Sequence, residues 1–191
     1  KLLFFFFFIW LATGCTTSGS SEINIIPQPE QQTSGNGHFA FSKHTVIQVE
    51  NQEQQPVAEL LANLFTTSAG FTPTVRIGAS DTSASIVFST DTTLAAESYK
   101  MEITPSLISV KAADNSGFFY ATQSIRQLLP STIESEGQVL NVQWHVPTLT
   151  LQDSPRFPYR GLLLDVSRCF IPKENVVKII DCMSMLKLNK L

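Results

Sequence analysis

The C-terminal segment of the chain joins an apolar run to an amphipathic helix pattern. Residues 161–166 are apolar except for Asp165, which is typical of a strand covered on both faces and therefore of a parallel sheet. Residues 172–188 predict a helix, with Glu174 near its start and Lys187 near its end, the favourable order for the helix dipole. The apolar positions recur at helical spacing: Val176, Ile179, Ile180, Met183 and Leu186. A strand followed by a covering helix is the first half of a βαβ unit.

Residues 23–153 predict a separate domain of mixed α and β structure. Helices are expected at residues 56–69 and 118–129, where apolar residues repeat at helical spacing. The clearest strand signal is a hairpin of residues 98–104 and 107–112, in which apolar and polar residues alternate on either side of a Pro-Ser turn. Further strands are predicted at residues 45–49, 74–77, 86–88 and 139–144. The domain is therefore predicted to be a sheet covered by two helices.

Three other stretches of this region predict turns and connections. Residues 31–37 are polar and contain two glycines, which indicates a loop. Residues 80–83 are predicted to form a polar turn between two short strands, and residues 147–154 to lead across to the C-terminal segment.

The N-terminus predicts export and a lipid anchor. Lys1 precedes an apolar run, residues 2–12, which is too short for the ~20 residues of a membrane span and suits the core of a signal peptide. Small residues then precede Cys15, as in the cleavage site of a bacterial lipoprotein. We expect residues 1–14 to be removed, Cys15 to be acylated and residues 15–22 to be a flexible tether. The alternative is an ordinary signal peptide in which Cys15 is incidental.

Composition excludes several classes of site. A net charge of −3 and the lack of a basic run give no reason to expect nucleic acid. The spacing of the three cysteines matches no zinc motif or disulfide framework. The three histidines form no His-Glu-x-x-His pattern, and no glycine-rich phosphate loop follows a predicted strand. We therefore expect neither a metal nor a cofactor.

Two motifs resemble a known enzyme family. Phe157-Pro-Tyr-Arg-Gly-Leu-Leu-Leu-Asp-Val-Ser-Arg168, with the helix that ends in Leu-Lys-Leu-Asn189, resembles the opening of the catalytic barrel of glycoside hydrolase family 20, the β-N-acetylhexosaminidases. Residues 99–129 resemble the non-catalytic domain that precedes this barrel. The resemblance implies an α+β domain at residues 23–153, followed at residues 154–191 by the truncated start of a (β/α)8 TIM barrel.

The resemblance also implies a function. The family consists of exo-enzymes that hydrolyse terminal N-acetylglucosamine or N-acetylgalactosamine from glycans by a retaining mechanism, in which the acetamido group of the substrate assists. The Asp-Glu pair that this chemistry uses is expected beyond residue 191. Because the chain also begins with Lys1 instead of Met, we expect an N-terminal fragment that is inactive by itself and belongs to the bacterial cell envelope. One alternative is a lipid-anchored glycan-binding protein without catalysis; another is an unrelated barrel lipoprotein.

Arg160 is the one substrate-binding residue that the resemblance suggests. A guanidinium group offers enough fixed donors to hold two adjacent sugar hydroxyls, and Arg160→Ala is expected to lower activity while the fold survives. Barrel active sites, however, form at the C-terminal ends of strands, which favours Asp165, Ser167 or Arg168 instead. The third possibility for Arg160 is an ion pair at the surface or between domains. The family commonly has His where this chain has Cys169.

Overall fold

The computed structural model describes residues 23–78 and 85–191, which form a seven-stranded mixed sheet and three α-helices. The strands are β1 (Gln31–Ala40), β2 (Val46–Val49), β3 (Thr74–Ile77), β4 (Ile86–Thr90), β5 (Tyr99–Ile103), β6 (Ile108–Ala112) and β7 (His145–Asp153). The helices are α1 (Gln55–Ser68), α2 (Asn115–Leu128) and α3 (Lys173–Met185), and a short 3-10 helix spans Ser131–Glu134.

The strand order in the sheet is β1-β7-β5-β6-β4-β2-β3. The pairs β1·β7, β7·β5 and β5·β6 are antiparallel, whereas the pairs β6·β4, β4·β2 and β2·β3 are parallel. Helices α1 and α2 contact each other and pack on one face of this sheet. The predicted fold class, a sheet covered by two helices, is thereby confirmed.

Alternating burial along the strands shows which face the helices cover. In β5, Tyr99, Met101 and Ile103 are buried, whereas Lys100 and Glu102 are exposed on the other face. This alternation is the expected pattern for a sheet with one apolar and one solvated face. The core therefore lies between the sheet and the two helices, and the opposite face carries polar side chains.

Local capping signals explain where the two covering helices begin. Pro56 lies in the first turn of α1, where a missing N–H costs no hydrogen bond. In α2, the Oδ1 atom of Asp114 accepts a hydrogen bond of 2.8 Å from the backbone N–H of Gly117. This cap starts α2 three residues earlier than the predicted residue 118. The hairpin of β5 and β6 lies where the alternation predicts it.

Three predictions at and near the edge of the sheet are wrong. Residues 31–37, predicted as a loop, begin the edge strand β1, and residues 147–154, predicted as a connection, lie largely in its partner β7. Residues 139–144, predicted as a strand, contain no strand. The sequence pattern does not predict β1, because nearly all side chains of this strand are exposed. Its sequence therefore lacks the alternation of apolar and polar residues that is typical of a covered strand.

The C-terminal segment, residues 154–191, differs from its prediction in one respect. Helix α3 lies within the predicted range, but residues 161–166 form no strand, and their one sheet-like contact is a parallel bridge from Gly161 to Lys190. A strand needs hydrogen-bonded neighbours on its edges, and within the described residues only Lys190 supplies them. Leu163 is accordingly 92% exposed.

The apolar side of α3 is only partly covered. Met183 is the buried residue of this helix and Val176 and Ile179 are half-buried, whereas Ile180 is 48% exposed. Contiguous apolar patches of this kind mark surfaces that other protein normally covers.

The predictions for residues 1–22 and the turn at residues 80–83 lie outside the described residues. Within the described ranges, no helix has the length and apolar character to cross a membrane.

Candidate functional site

The guanidinium group of Arg160 lies at the junction between the sheet domain, residues 23–153, and the C-terminal segment. Its Nη1 atom forms an ion pair with Oε2 of Glu97 at 2.9 Å and donates to the carbonyl of Phe157 at 2.8 Å. Its Nη2 atom donates to the hydroxyl of Tyr120 at 2.7 Å, and Nε donates to the carbonyl of Lys187 at 2.9 Å. The side chain is only 13% exposed. Four hydrogen bonds thus use most of the five N–H donors of a guanidinium group.

The backbone around Arg160 joins the two ends of the C-terminal segment. Its carbonyl accepts from the N–H groups of Asn189, at 2.8 Å, and Lys190, at 3.2 Å. Its own N–H donates to Oδ1 of Asn189 at 3.0 Å, and the bridge between Gly161 and Lys190 continues this pairing. Hydrogen bonds therefore join the residue before the predicted barrel strand to the residues that follow α3.

A second polar cluster lies at the same junction. Helix α3 ends at Met185, and Lys187 follows in the left-handed conformation, with φ of 58°. Its Nζ donates to Oδ2 of Asp153 at 2.7 Å and to the hydroxyl of Tyr99 at 2.9 Å. The Tyr99 hydroxyl lies 2.7 Å from Oγ of Ser124 on α2. Lys187 is 5% exposed, so this residue, which the sequence places near the end of the predicted helix, has a buried ammonium group.

Burial is the largest influence on the pKa values of Lys187, Tyr99 and Tyr120 at this junction. It lowers the pKa of the Lys187 ammonium group, against the opposing influence of the Asp153 carboxylate. It raises the pKa of the Tyr99 hydroxyl, and the charge of Asp153 raises it further. Burial also raises the pKa of Tyr120, which the Arg160 charge opposes. Both tyrosines are therefore neutral near pH 7 and act as hydrogen-bonding groups.

The two clusters line one cavity of about 510 Å³ between the sheet domain and the C-terminal segment. Its wall includes Glu97, Tyr120, Asp153 and Lys187 as well as Arg160. The polar groups that surround it are largely hydrogen-bonded to one another. They therefore hold the sheet domain and the C-terminal segment together and leave few donors for a ligand.

The turn at residues 165–168 presents a different environment. Oδ1 of Asp165 accepts from the N–H groups of Ser167, at 2.9 Å, and Arg168, at 3.2 Å. Nε of Arg168 lies 3.6 Å from Oδ2 of Asp165. The Arg168 side chain is 90% exposed, and ion pairs so exposed are worth little. Its donors are therefore available for a ligand.

Comparison with known proteins identifies the family. The sequence model of glycosyl hydrolase family 20, domain 2, matches residues 22–154, more than half of the chain. The chain belongs to glycosyl hydrolase family 20. The model of the catalytic domain of the same family matches residues 157–191, so the C-terminal segment is the start of the family 20 catalytic domain.

Individual relatives agree with this assignment. A β-hexosaminidase of Porphyromonas gingivalis is 36% identical over 170 residues, 88% of this chain and 22% of that protein. A mutant β-hexosaminidase of Streptomyces plicatus, solved in complex with its product GlcNAc, is 28% identical with a TM-score of 0.80. A β-N-acetylhexosaminidase of Bacteroides fragilis is 29% identical with a TM-score of 0.68.

The chain is much shorter than these family 20 relatives. It covers 33% of the S. plicatus chain and 32% of the B. fragilis chain, while 87% and 86% of this chain are covered. The chain thus spans between a fifth and a third of the length of the relatives named here.

Family membership does not by itself reveal the junction partners of Arg160 and Lys187. Glu97 and Tyr120 come from the sheet domain, 63 and 40 residues before Arg160 in the chain, and Asp153 is 34 residues before Lys187. No local sequence pattern relates positions so far apart. The available signal was Lys187 itself, a charged residue within the apolar stretch that ends the predicted helix.

Several other cysteine, aromatic and histidine side chains occupy varied positions in this family 20 chain. Cys169 is exposed. Trp144 is buried in the core, whereas Tyr159 is exposed. The rings of His38 and His145, far apart in sequence, lie with centroids 4.7 Å apart because β1 pairs with β7. Among residues 23–78 and 85–191, no group of three or more potential ligands is placed to hold a metal ion.

Proposed function

We propose that this chain is the N-terminal part of an exo-β-N-acetylhexosaminidase, which removes terminal N-acetylhexosamine from glycans. The observation that carries the proposal is the succession of family 20 domain 2 and the start of the family 20 catalytic domain within one chain. The product bound in the S. plicatus relative is GlcNAc, which supports an N-acetylglucosamine-terminated glycan as substrate. The retaining, substrate-assisted mechanism follows from the family.

The catalytic carboxylates of this mechanism lie beyond residue 191 in our proposal. The chain supplies the domain that precedes the barrel, the apolar run that we expect to form the first barrel strand in the whole protein, and the helix α3 that follows it. By itself it is expected to be inactive, since a complete barrel takes ~250 residues.

Two arginines are candidates for binding the sugar hydroxyls. Arg160 stays a prediction from the family resemblance, and its guanidinium would have to share donors that now hold Glu97 and Tyr120. Arg168 lies after the apolar run, which we expect to be the first barrel strand of the whole protein, and barrel enzymes bind their substrates at the C-terminal ends of such strands. Its exposure and its weak pairing with Asp165 leave its donors available, so the contacts favour Arg168 for the sugar and a junction role for Arg160.

Release of p-nitrophenol from p-nitrophenyl N-acetyl-β-glucosaminide by the whole protein tests the proposal. We expect turnover by the whole protein and none by residues 15–191 expressed alone. Binding of GlcNAc-terminated glycans without turnover would favour the alternative, a lipid-anchored glycan-binding protein. If the whole protein shows no binding and no turnover, both readings are contradicted, and an unrelated barrel lipoprotein is the reading that is left.

A location at the cell envelope, on the outer membrane or the periplasmic face, is part of the same proposal. Its support is the sequence pattern of residues 1–22, in which small residues precede Cys15 after an apolar run. Bacteria expressing the whole protein and fed labelled palmitate should incorporate the label into it. Cys15→Ser should abolish the label. Equal labelling of both would contradict acylation at Cys15, and export without labelling of either would indicate an ordinary signal peptide.

A further inference from the structure

The turn at residues 165–168 has few contacts of its own with the sheet domain. Most residues from 161 to 182 are exposed, the others are half-buried, and the first buried side chain after Gly161 is that of Met183. The position of the turn relative to the sheet domain is therefore set by the contacts at the two ends of the segment, before Gly161 and after α3.

At both ends, a cation from the C-terminal segment reaches an anion of the sheet domain. Arg160 pairs with Glu97 at the first end, and Lys187 pairs with Asp153 at the second. The amide of Gln127 adds a neutral contact, a hydrogen bond of 3.0 Å to the carbonyl of Met185. The Lys187 pair is the more deeply buried of the two ion pairs, with side chains 6% and 15% exposed.

Backbone strain accompanies both pairs. Glu97 and Lys187 have φ of 63° and 58°, in the left-handed region that non-glycine residues rarely adopt. Such conformations persist when surrounding contacts hold them, and they cluster at sites where geometry matters. Side-chain bonds hold both residues here: the backbone N–H of Glu97 donates to Asp114 at 2.9 Å, and Lys187 is held through its ammonium group.

We propose that Lys187, through its buried bonds to Asp153 and Tyr99, is a positioning residue that fixes the turn at residues 165–168 for substrate binding. The proposal rests on the proposed function. In it, the sheet domain serves the reaction by holding the apolar run and helix α3 in place, although it contributes no group that touches the sugar. A displacement of the turn weakens binding of the terminal sugar, because placement errors of about 1 Å are costly to such sites.

The test compares variants of the whole protein. Lys187→Met keeps the length of the side chain and removes its charge, which leaves the Asp153 carboxylate without its cation. Lys187→Met/Asp153→Asn removes both charges and is expected to regain most of the lost thermal stability. Phe65→Leu is the matched control, because it weakens the core of the sheet domain at a buried residue whose ring contacts are with Phe41, Phe71 and Trp144.

We expect Lys187→Met to raise KM about tenfold with little change in kcat, the signature of lost binding in both ground and transition state. The double variant should keep the raised KM although its melting temperature recovers, because Met and Asn cannot restore the charged bond. Phe65→Leu should lower the melting temperature and leave KM unchanged. A KM in Lys187→Met that equals that of Phe65→Leu, or a KM that recovers with stability in the double variant, would overturn the proposal.

Hydrogen exchange of residues 162–171 gives a second readout that needs no activity. These amides should exchange faster in Lys187→Met and in the double variant than in Phe65→Leu. Equal rates in Lys187→Met and Phe65→Leu would overturn the positioning role. If the unaltered whole protein hydrolyses no N-acetylglucosaminide, the proposed function fails, and exchange alone then decides whether Lys187 positions the turn.

Discussion

Replacing Arg160 by Ala is expected to lower the free energy of unfolding by about 3 kcal/mol, because it removes one partner of a largely buried ion pair. Glu97 and the hydroxyl of Tyr120 lose their donor, and so do the carbonyls of Phe157 and Lys187. Groups left unsatisfied at a buried position cost more than the hydrogen bonds themselves were worth. Urea denaturation of the variant and the unaltered protein measures this loss. Arg160→Lys should recover only part of it, since an ammonium group cannot reproduce the planar fork.

Arg168→Ala is the companion variant, and it should behave in the opposite way. Its side chain is exposed, so the free energy of unfolding should change by less than about 0.5 kcal/mol. If Arg168 binds the sugar, activity of the whole protein should fall sharply. If activity instead falls in Arg160→Ala at temperatures where that variant is fully folded, with Arg168→Ala unaffected, the original prediction for Arg160 is correct and our preference for Arg168 is wrong.

The sequence predicted those parts of the fold whose signals are local. The hairpin of β5 and β6 was visible because each strand alternates buried and exposed residues. Helix α1 was visible because its apolar residues repeat at helical spacing. Strands β1 and β7 were missed because β1 is a mostly exposed edge strand, and the pairing between the two joins residues more than 100 positions apart. Long-range pairing of this kind leaves little trace in a short window.

For the candidate site, too, the sequence indicated local features and missed the long-range contacts. The resemblance singled out Arg160, and the sequence raised an ion pair between domains as one of its possible roles. It did not indicate the partner Glu97, and it placed Lys187 near the end of the predicted helix without indicating that its ammonium group is buried. The burial of Lys187 depends on Tyr99, 88 residues earlier in the chain, and on Asp153. A charged residue shows no sign of burial in its own sequence neighbourhood when its partners come from another domain.

Phe65→Ala is expected to destabilise the sheet domain by about 3–5 kcal/mol, the usual cost of deleting a fully buried aromatic side chain. The ring stacks on Phe41 and Phe71, with centroids 4.6 and 5.5 Å away, and meets Trp144 edge-on at 6.4 Å. Its removal opens a cavity between α1 and the strands, which neighbouring rings cannot fill without leaving these contacts.

Leu60→Ala on the same helix is the matched control. The apolar residues that repeat at helical spacing in α1 include both Leu60 and Phe65, but the Leu60 side chain is 50% exposed, so its loss should cost less than about 1 kcal/mol. Equal costs for the two variants in urea denaturation would mean that the apolar stripe read from the sequence, and not the burial in the structure, describes the core-facing side of α1.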